Sequence, residues 1–195
     1  MERPLAVAIT GGIAAGKSEA LAAFARHGAS VLSSDEIVHG IYRGDAALQD
    51  ALRARWGDAV FAHGEVDRAA VGRIVFADPD ELAWLESQLH PLVRIVSERW
   101  LDEVRAMDDP PAIAAVEIPL LYETGGEARF DKVVVITASE SVREERRGAF
   151  ADREARLIPD EEKIRRADFA YVNDGTLEEL DVFVAGVVRE LTSAS

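Results

Sequence analysis

The sequence predicts an α/β fold, a three-layer α/β/α core around a parallel sheet with a helical block inserted into it. Three observations predict it. Short, wholly apolar runs alternate with amphipathic helical stretches, the signature of strands buried on both faces and joined by crossover helices. The first run ends in a glycine-rich turn that opens directly into a helical pattern. Residues 36–109 break the alternation and contain no good strand.

The elements follow in order. Leu5–Ile9 (LAVAI) reads as the first strand and Thr10-Gly11-Gly12 as its exit. From Lys17 to His27 the spacing of Ala20, Leu21, Ala23 and Phe24 is helical, and Gly28 suits the C-terminus. Ala29–Leu32 is a second short strand, followed by Ser33-Ser34-Asp35-Glu36. Within 36–109, Ala46–Trp56 and Arg68–Phe76 are helical. Asp80–Met107 is a long helix in which Pro91 should produce a kink or a break, because proline removes a backbone donor. Asp108-Asp109-Pro110-Pro111 returns the chain to the sheet. Ala112–Ile118, Lys132–Ala138 and Phe169–Asn173 are three further strands. Leu177–Leu191 is a closing amphipathic helix carrying Leu180, Phe183, Val184, Val187, Val188 and Leu191 on one side. The expected division is a core of 1–35, 110–139 and 168–195, a helical domain of 36–109 and a lid of 140–167.

Composition narrows the function classes. A chain of 195 residues buries about 70% of its unfolded surface and needs no covalent staple. It has no cysteine, which removes disulfides, thiolate nucleophiles and iron–sulfur clusters together. Its 22 Lys and Arg against 36 Asp and Glu give a net charge of −14. Non-specific binding to nucleic acid or anionic lipid needs the opposite balance, so neither nucleic acid nor membrane is expected as a partner. Met1–Ile9 carries neither a basic leader nor a small-residue cleavage site, and no run reaches about 20 apolar residues. A cytoplasmic location is the expectation.

Gly11-Gly12-Ile13-Ala14-Ala15-Gly16-Lys17-Ser18 matches the phosphate-loop pattern G-x-x-x-x-G-K-S/T in full, with the strand before it and the helix after it that the pattern requires. Glycines let successive N–H groups turn inward around a phosphate. The helix beginning at Gly16 points its positive end at the same anion. Lys17 supplies a mobile charge for the outer phosphates, and the Ser18 hydroxyl can ligate Mg²⁺. A P-loop nucleoside triphosphate site is therefore expected, with ATP and Mg²⁺ as ligands. A standard GTPase is excluded: Asn173, the one asparagine, precedes Asp174 rather than Lys, and no Asp has Gly three places later. The Leu-Ser-Gly-Gly signature of transporter ATPases is absent too, and the small size favours a small-molecule kinase.

A kinase needs an acid at the acceptor hydroxyl and cations over the transferring phosphate. Asp35 lies just past the second strand, at the carboxyl edge where open α/β sheets bind ligands. It serves equally well as a base, as a water-mediated Mg²⁺ ligand, or, with Ser33 and Glu36, as a helix cap. Glu117 ends the third strand as a Walker B acid would, or faces solvent there. Residues 140–168 hold 8 of the 22 cations: Arg143, Arg146, Arg147, Arg153, Arg156, Lys163, Arg165 and Arg166. They read as a lid over ATP or as a solvated face laced by Glu144, Glu145, Glu154, Glu161 and Glu162. His27, His39, His63 and His90 have no metal-like spacing.

The motif series resembles the dephospho-coenzyme A kinase family across almost the whole chain. It comprises Thr10-Gly11-Gly12-Ile13 with Gly16-Lys17-Ser18, Asp35, Leu89-His90-Pro91, Glu117-Ile118-Pro119-Leu120-Leu121-Tyr122-Glu123, Pro159 with Glu161-Glu162-Lys163, and Ala167-Asp168 leading to Val172-Asn173-Asp174-Gly175. The resemblance implies transfer of the ATP γ-phosphate to the ribose 3′-hydroxyl of dephospho-CoA with Mg²⁺, the last step of coenzyme A biosynthesis, on a P-loop core with a helical acceptor domain and a lid. It implies Asp35 as general base, Gly11–Ser18 as the ATP loop and Lys17 with Arg146 or Arg147 as transfer cations. Asn173 would lie near the adenine, and Asp35, His90, Glu117 and Leu120 at the acceptor. Ser18 would hold Mg²⁺, assisted through water by Asp35 or Glu117. A monomer or weak homo-oligomer is expected. Another P-loop nucleoside, nucleotide or metabolite kinase, and a nucleotide sensor without turnover, are the competing functions. Three departures stand out. Ser33-Ser34-Asp35 replaces Asp-x-Asp, and Glu19 replaces Thr after the loop. Between Arg147 and Pro159 the chain is several residues shorter than the family's usual lid, with Leu157 in place of Gln.

Overall fold

The structure is a computed structural model describing residues 3–147, the side chain of residue 147 apart, and 157–193. The chain divides into two compact units, Met1–Ser33 with Leu101–Ser195 and Ser34–Trp100.

The first unit is built on a parallel sheet of five strands: β1 (Leu5–Gly11), β2 (Ser30–Ser33), β5 (Ile113–Glu117), β6 (Lys132–Thr137) and β7 (Phe169–Val172), ordered β2-β5-β1-β6-β7. The apolar runs are explained by their place in it. β1, β5 and β6 are central, and Val7, Ile9, Ala115, Val134 and Ile136 pack on one face under Ala20 and Phe24 of α1 (Lys17–Arg26) and Leu180, Val184 and Val187 of α8 (Leu177–Ser193). Ala8, Ala114, Val116, Val133 and Val135, which alternate with them, are also buried. Each strand lies within one or two residues of its expected position. β1 runs two residues further than its apolar stretch, because Thr10 and Gly11 still pair with Val135 and Ile136 of β6. Two short helices, α6 (Glu140–Arg147) and α7 (Asp160–Arg166), lie between β6 and β7 in sequence.

The second unit is mainly helical: α2 (Ser34–Gly44), α3 (Ala46–Trp56), α4 (Arg68–Ala77) and most of α5 (Pro79–Arg105). Asp45 and Asp67 cap α3 and α4 by accepting from Leu48 N at 2.8 Å and Ala69 N at 2.9 Å. Its core gathers Ile37, Ile41, Tyr42, Leu52, Val60, Val71 and Val75, and burial raises the Tyr42 hydroxyl above its ordinary value. Trp56 meets Trp84 edge to face at 5.0 Å and donates its indole N–H to Glu81. Two bonds from Arg55, with that one, hold the Glu81 carboxyl below its usual range.

Two expectations for this block are corrected. It does contain strands, the antiparallel pair β3 (Phe61–Ala62) and β4 (Glu65–Val66), joined through His63 and Gly64, both at positive φ (54° and 85°). This is the backbone a two-residue hairpin turn demands, and strands of two residues are too short to show alternation. Pro91 does not divide the long helix, which passes through it as one element of 27 residues. One missing donor is a local cost, and Leu85 before it and Ser97 after it are both buried. Among the described residues no helix is long and apolar enough to cross a membrane.

Candidate active site

The phosphate loop is shaped by what its glycines touch. β1 runs close beside β6, so a β-carbon on Gly11 would fall 1.8 Å from the Ile136 carbonyl oxygen, a backbone atom that cannot move aside. Gly16, at φ +94°, caps α1 in the left-handed region, and a β-carbon there would lie 2.3 Å from Asn173 Nδ2. Between them Ala14 also takes a positive φ, and Ala15 is buried. The loop is braced from β7's end. Asn173, 3% exposed, donates Nδ2 to the Ala15 carbonyl at 2.9 Å, while its own N–H donates to Thr137 O at 2.7 Å.

Lys17 is nearly buried and its ammonium donates to the Gly12 carbonyl at 2.7 Å. Ser18 lies one residue further into α1, and its hydroxyl reaches the two Glu117 carboxylate oxygens at 3.3 and 3.5 Å. Glu117 is 7% exposed. It ends β5 in register with Ile9 of β1 and Ser33 of β2 and does not face solvent. A hydroxyl and a carboxylate at this separation form an oxygen donor set that fits Mg²⁺.

The cation-rich segment separates into different uses. Arg146 is exposed, with Nη1 3.9 Å from where a β-carbon of Gly16 would stand. Arg143 pairs with Asp160 beside Gly12. Lys163, wholly buried, pairs with Glu123 Oε1 at 2.7 Å, and Ile158 N–H donates to the same oxygen at 3.2 Å. Arg166 pairs with Glu127 and lies 4.2 Å over the Tyr122 ring. Burial raises the Tyr122 hydroxyl, and Arg166 partly offsets the rise. The Tyr122-Glu123 end of the strand-five motif is thus the anchor of α7. Asp168 fastens the next turn, accepting from Val133 N and Lys132 Nζ at 2.9 Å each and raising the Lys132 ammonium. The side chain of Arg147, and Arg153 and Arg156, lie outside the described residues.

Leu120 is half-buried, and its carbonyl accepts from the Thr124 hydroxyl at 2.8 Å in the turn after β5. In the second unit, Asp35 is exposed inside the first turn of α2, not at its cap, and His90 is half-buried on α5 beside Pro91. Asp160, Lys163 and Glu123 were not marked by sequence as parts of one assembly. Their signal was present in the Glu-Glu-Lys and Tyr-Glu motifs, but no spacing rule pairs residues 40 apart.

The profile of the dephospho-CoA kinase family matches residues 5–179, which takes in the loop, Glu117, α7 and Asn173. The chain belongs to the dephospho-CoA kinase family. A dephospho-CoA kinase of Agrobacterium fabrum is 37% identical over 196 residues, covering 96% of this chain and 98% of its own. Among solved structures, a Thermus thermophilus protein aligns with 97% of this chain and 99% of its own at a TM-score of 0.75 and 31% identity. A dephospho-CoA kinase of Campylobacter jejuni, 24% identical, aligns with 97% and 98% at 0.71 and shares the fold. Members of this family are ATP-dependent kinases on a P-loop core, and the parallel sheet with flanking helices found here is that fold.

Proposed function

We propose that the chain transfers the γ-phosphate of ATP to the ribose 3′-hydroxyl of dephospho-CoA, giving CoA and ADP. The observation that carries this is the family match over 5–179 with the phosphate loop intact and strung between Asn173 and Glu117.

The residues divide the work as follows. The N–H groups of residues 12–16 and the start of α1 receive the β- and γ-phosphates. Lys17 exchanges the Gly12 carbonyl, its partner at 2.7 Å, for phosphate oxygens, a short movement that moves an ammonium from a weak acceptor to a strong one. Ser18 would hold Mg²⁺, with Glu117 or Asp35 acting through water, and the ion when bound neutralises charge on the bridging phosphate oxygens. Asp35 takes the proton of the acceptor hydroxyl, a role that its exposed position in the first turn of α2 suits. Arg146 covers the transferring phosphate from the Gly16 side. Arg147 is a second candidate for that task. His90 and Leu120 contribute to acceptor binding. Asn173 serves ATP by holding the loop in shape.

The test is ADP release in a coupled assay with Mg-ATP and dephospho-CoA. Asp35→Asn is expected to lower kcat by about 10²-fold or more while leaving ADP affinity measured in chelator intact. Activity on a nucleoside monophosphate but not on dephospho-CoA would identify a different P-loop kinase.

A further inference from the structure

One ion pair at the phosphate loop has no part in the roles above. Arg143, on α6, and Asp160, the first residue of α7, meet with Nη1 3.3 Å from Oδ2, their side chains 18% and 24% exposed. Both stand against Gly12. A β-carbon there would fall 3.1 and 3.4 Å from the Asp160 oxygens and 3.2 Å from Arg143 Nη1. Gly12 is also the residue whose carbonyl holds the Lys17 ammonium. Two cations and one carboxylate therefore converge where the triphosphate is to bind.

The carboxylate is the unexpected member. The loop gathers N–H groups, a helix dipole and a lysine to attract an anion, and a second anion beside it opposes that attraction. Asp160 is nevertheless fixed there. Three residues on, Lys163 is locked by Glu123, and six residues on, Arg166 is locked by Glu127 and Tyr122. Arg143 is on another helix, and its long stem and planar fork suit phosphate oxygens as well as a carboxylate.

We propose that Arg143 is a further phosphate-binding cation of the transfer site, and that Asp160 holds it when nucleotide is absent. Binding of the β- and γ-phosphates exchanges one anionic partner of Arg143 for a stronger one. Asp160 then faces the bound phosphates and weakens their hold, which favours release of ADP after transfer. The inference rests on the loop binding nucleotide as proposed above.

The experiment measures Kd for ADP and ATP by calorimetry, with Mg²⁺ and with chelator, for the full chain and the variants Asp160→Asn, Arg143→Gln and Arg143→Lys. Two unit charges some 6 Å apart at a partly exposed site change affinity by about ten-fold. Asp160→Asn is expected to tighten ADP by about that factor with and without Mg²⁺, and to slow its release. Arg143→Gln is expected to weaken ADP by a similar factor, and Arg143→Lys, which keeps the charge without the fork, by less. The KM for dephospho-CoA and the melting temperature of Arg143→Lys stay close to the parent values. An Asp160→Asn that leaves ADP affinity unchanged or weaker overturns the proposal, as does an Arg143→Gln with unchanged affinity. A loss in Asp160→Asn seen only with Mg²⁺ also overturns it, because Asp160 would then serve the metal. A parent chain that binds no nucleotide overturns the kinase reading itself.

Discussion

Asn173 offers the sharpest separation between bracing the loop and reading the base. The residue is 3% exposed, and its carboxamide nitrogen donates to Ala15 O at 2.9 Å and stands against Gly16, where not even a β-carbon would fit. Asn173→Ala removes one buried hydrogen bond and leaves a polar loop atom to find another partner, a loss of about 2 kcal/mol. Because the loop's shape is what binds phosphate, that loss falls largely on nucleotide affinity, a factor of about 30. The assay is the coupled ADP reaction with ATP and with GTP at saturating dephospho-CoA, alongside thermal melting. The KM for ATP and for GTP should rise together, leaving their ratio unchanged, and the melting temperature should fall. Asn173→Asp should be worse than alanine, because it sets a carboxylate oxygen against the Ala15 carbonyl beneath a bound polyphosphate. If Asn173→Ala instead abolishes the preference between ATP and GTP while the melting temperature and the KM for ATP hold, the side chain reads the base and the bracing argument fails.

Two further outcomes follow from the same structure. Glu123→Leu strands the Lys163 ammonium, which is wholly buried, and should cost about 3–5 kcal/mol, a fall in Tm of about 10 °C; adding Lys163→Met should restore most of it by calorimetry. Asp181, on α8, takes hydrogen bonds from Arg26 at 2.6 Å and His27 at 3.0 Å on α1, and these hold its carboxyl below its ordinary value. A lowered carboxyl contributes stability that is present above its unfolded pKa and is lost as pH falls through the folded one. Asp181→Asn should therefore melt earlier at neutral pH, with the gap to the parent chain closing as the pH drops below about 4; a gap that stays constant to pH 3 would show the pair contributes no charge-dependent stability.

Legibility in the sequence tracked the range of the interactions involved. The central strands β1, β5 and β6 were readable because they are buried on both faces, so that burial alone writes a continuous apolar run, whereas the edge strands β2 and β7 are only partly buried and were legible chiefly from their place in the alternation. The phosphate loop was readable because its constraints are local: Gly11 and Gly16 are glycine for reasons of backbone angle and close approach that a short pattern records. The β3–β4 hairpin was not readable, since two residues per strand carry no period and His63 does not advertise a positive φ as Asn would. The arginine-rich segment was readable as a concentration of charge but not as a division of labour. Glu123 and Lys163 are 40 residues apart, Arg166 and Tyr122 are 44, and only the packing of α7 against the turn after β5 shows that two of the eight cations are anchors. Asn173 was marked by its motif, yet its bond to a loop 158 residues away could not be seen from the chain alone.

The same partition accounts for how a chain of net charge −14 presents a site for a polyphosphate. At physiological ionic strength a charge is screened beyond about 8 Å, so the total matters little to the ligand and the near neighbours matter most. Around the loop those neighbours are Lys17, Arg143 and Arg146 against Glu117 and Asp160. Neither carboxylate stands alone: Glu117 meets the Ser18 hydroxyl and Asp160 meets Arg143, so each has a partner that a phosphate or a divalent cation would compete for. A site assembled this way is close to neutral when empty, and on the proposed exchange it gains cationic donors as the ligand draws Lys17 off Gly12 and Arg143 off Asp160. Affinity is then set by the difference between two sets of partners and not by the number of positive groups. On that proposal, drawing two cations off their resting partners offsets part of what the phosphate contacts contribute, so ADP is held less tightly than the positive groups alone would hold it, which suits a kinase that must release ADP in every cycle.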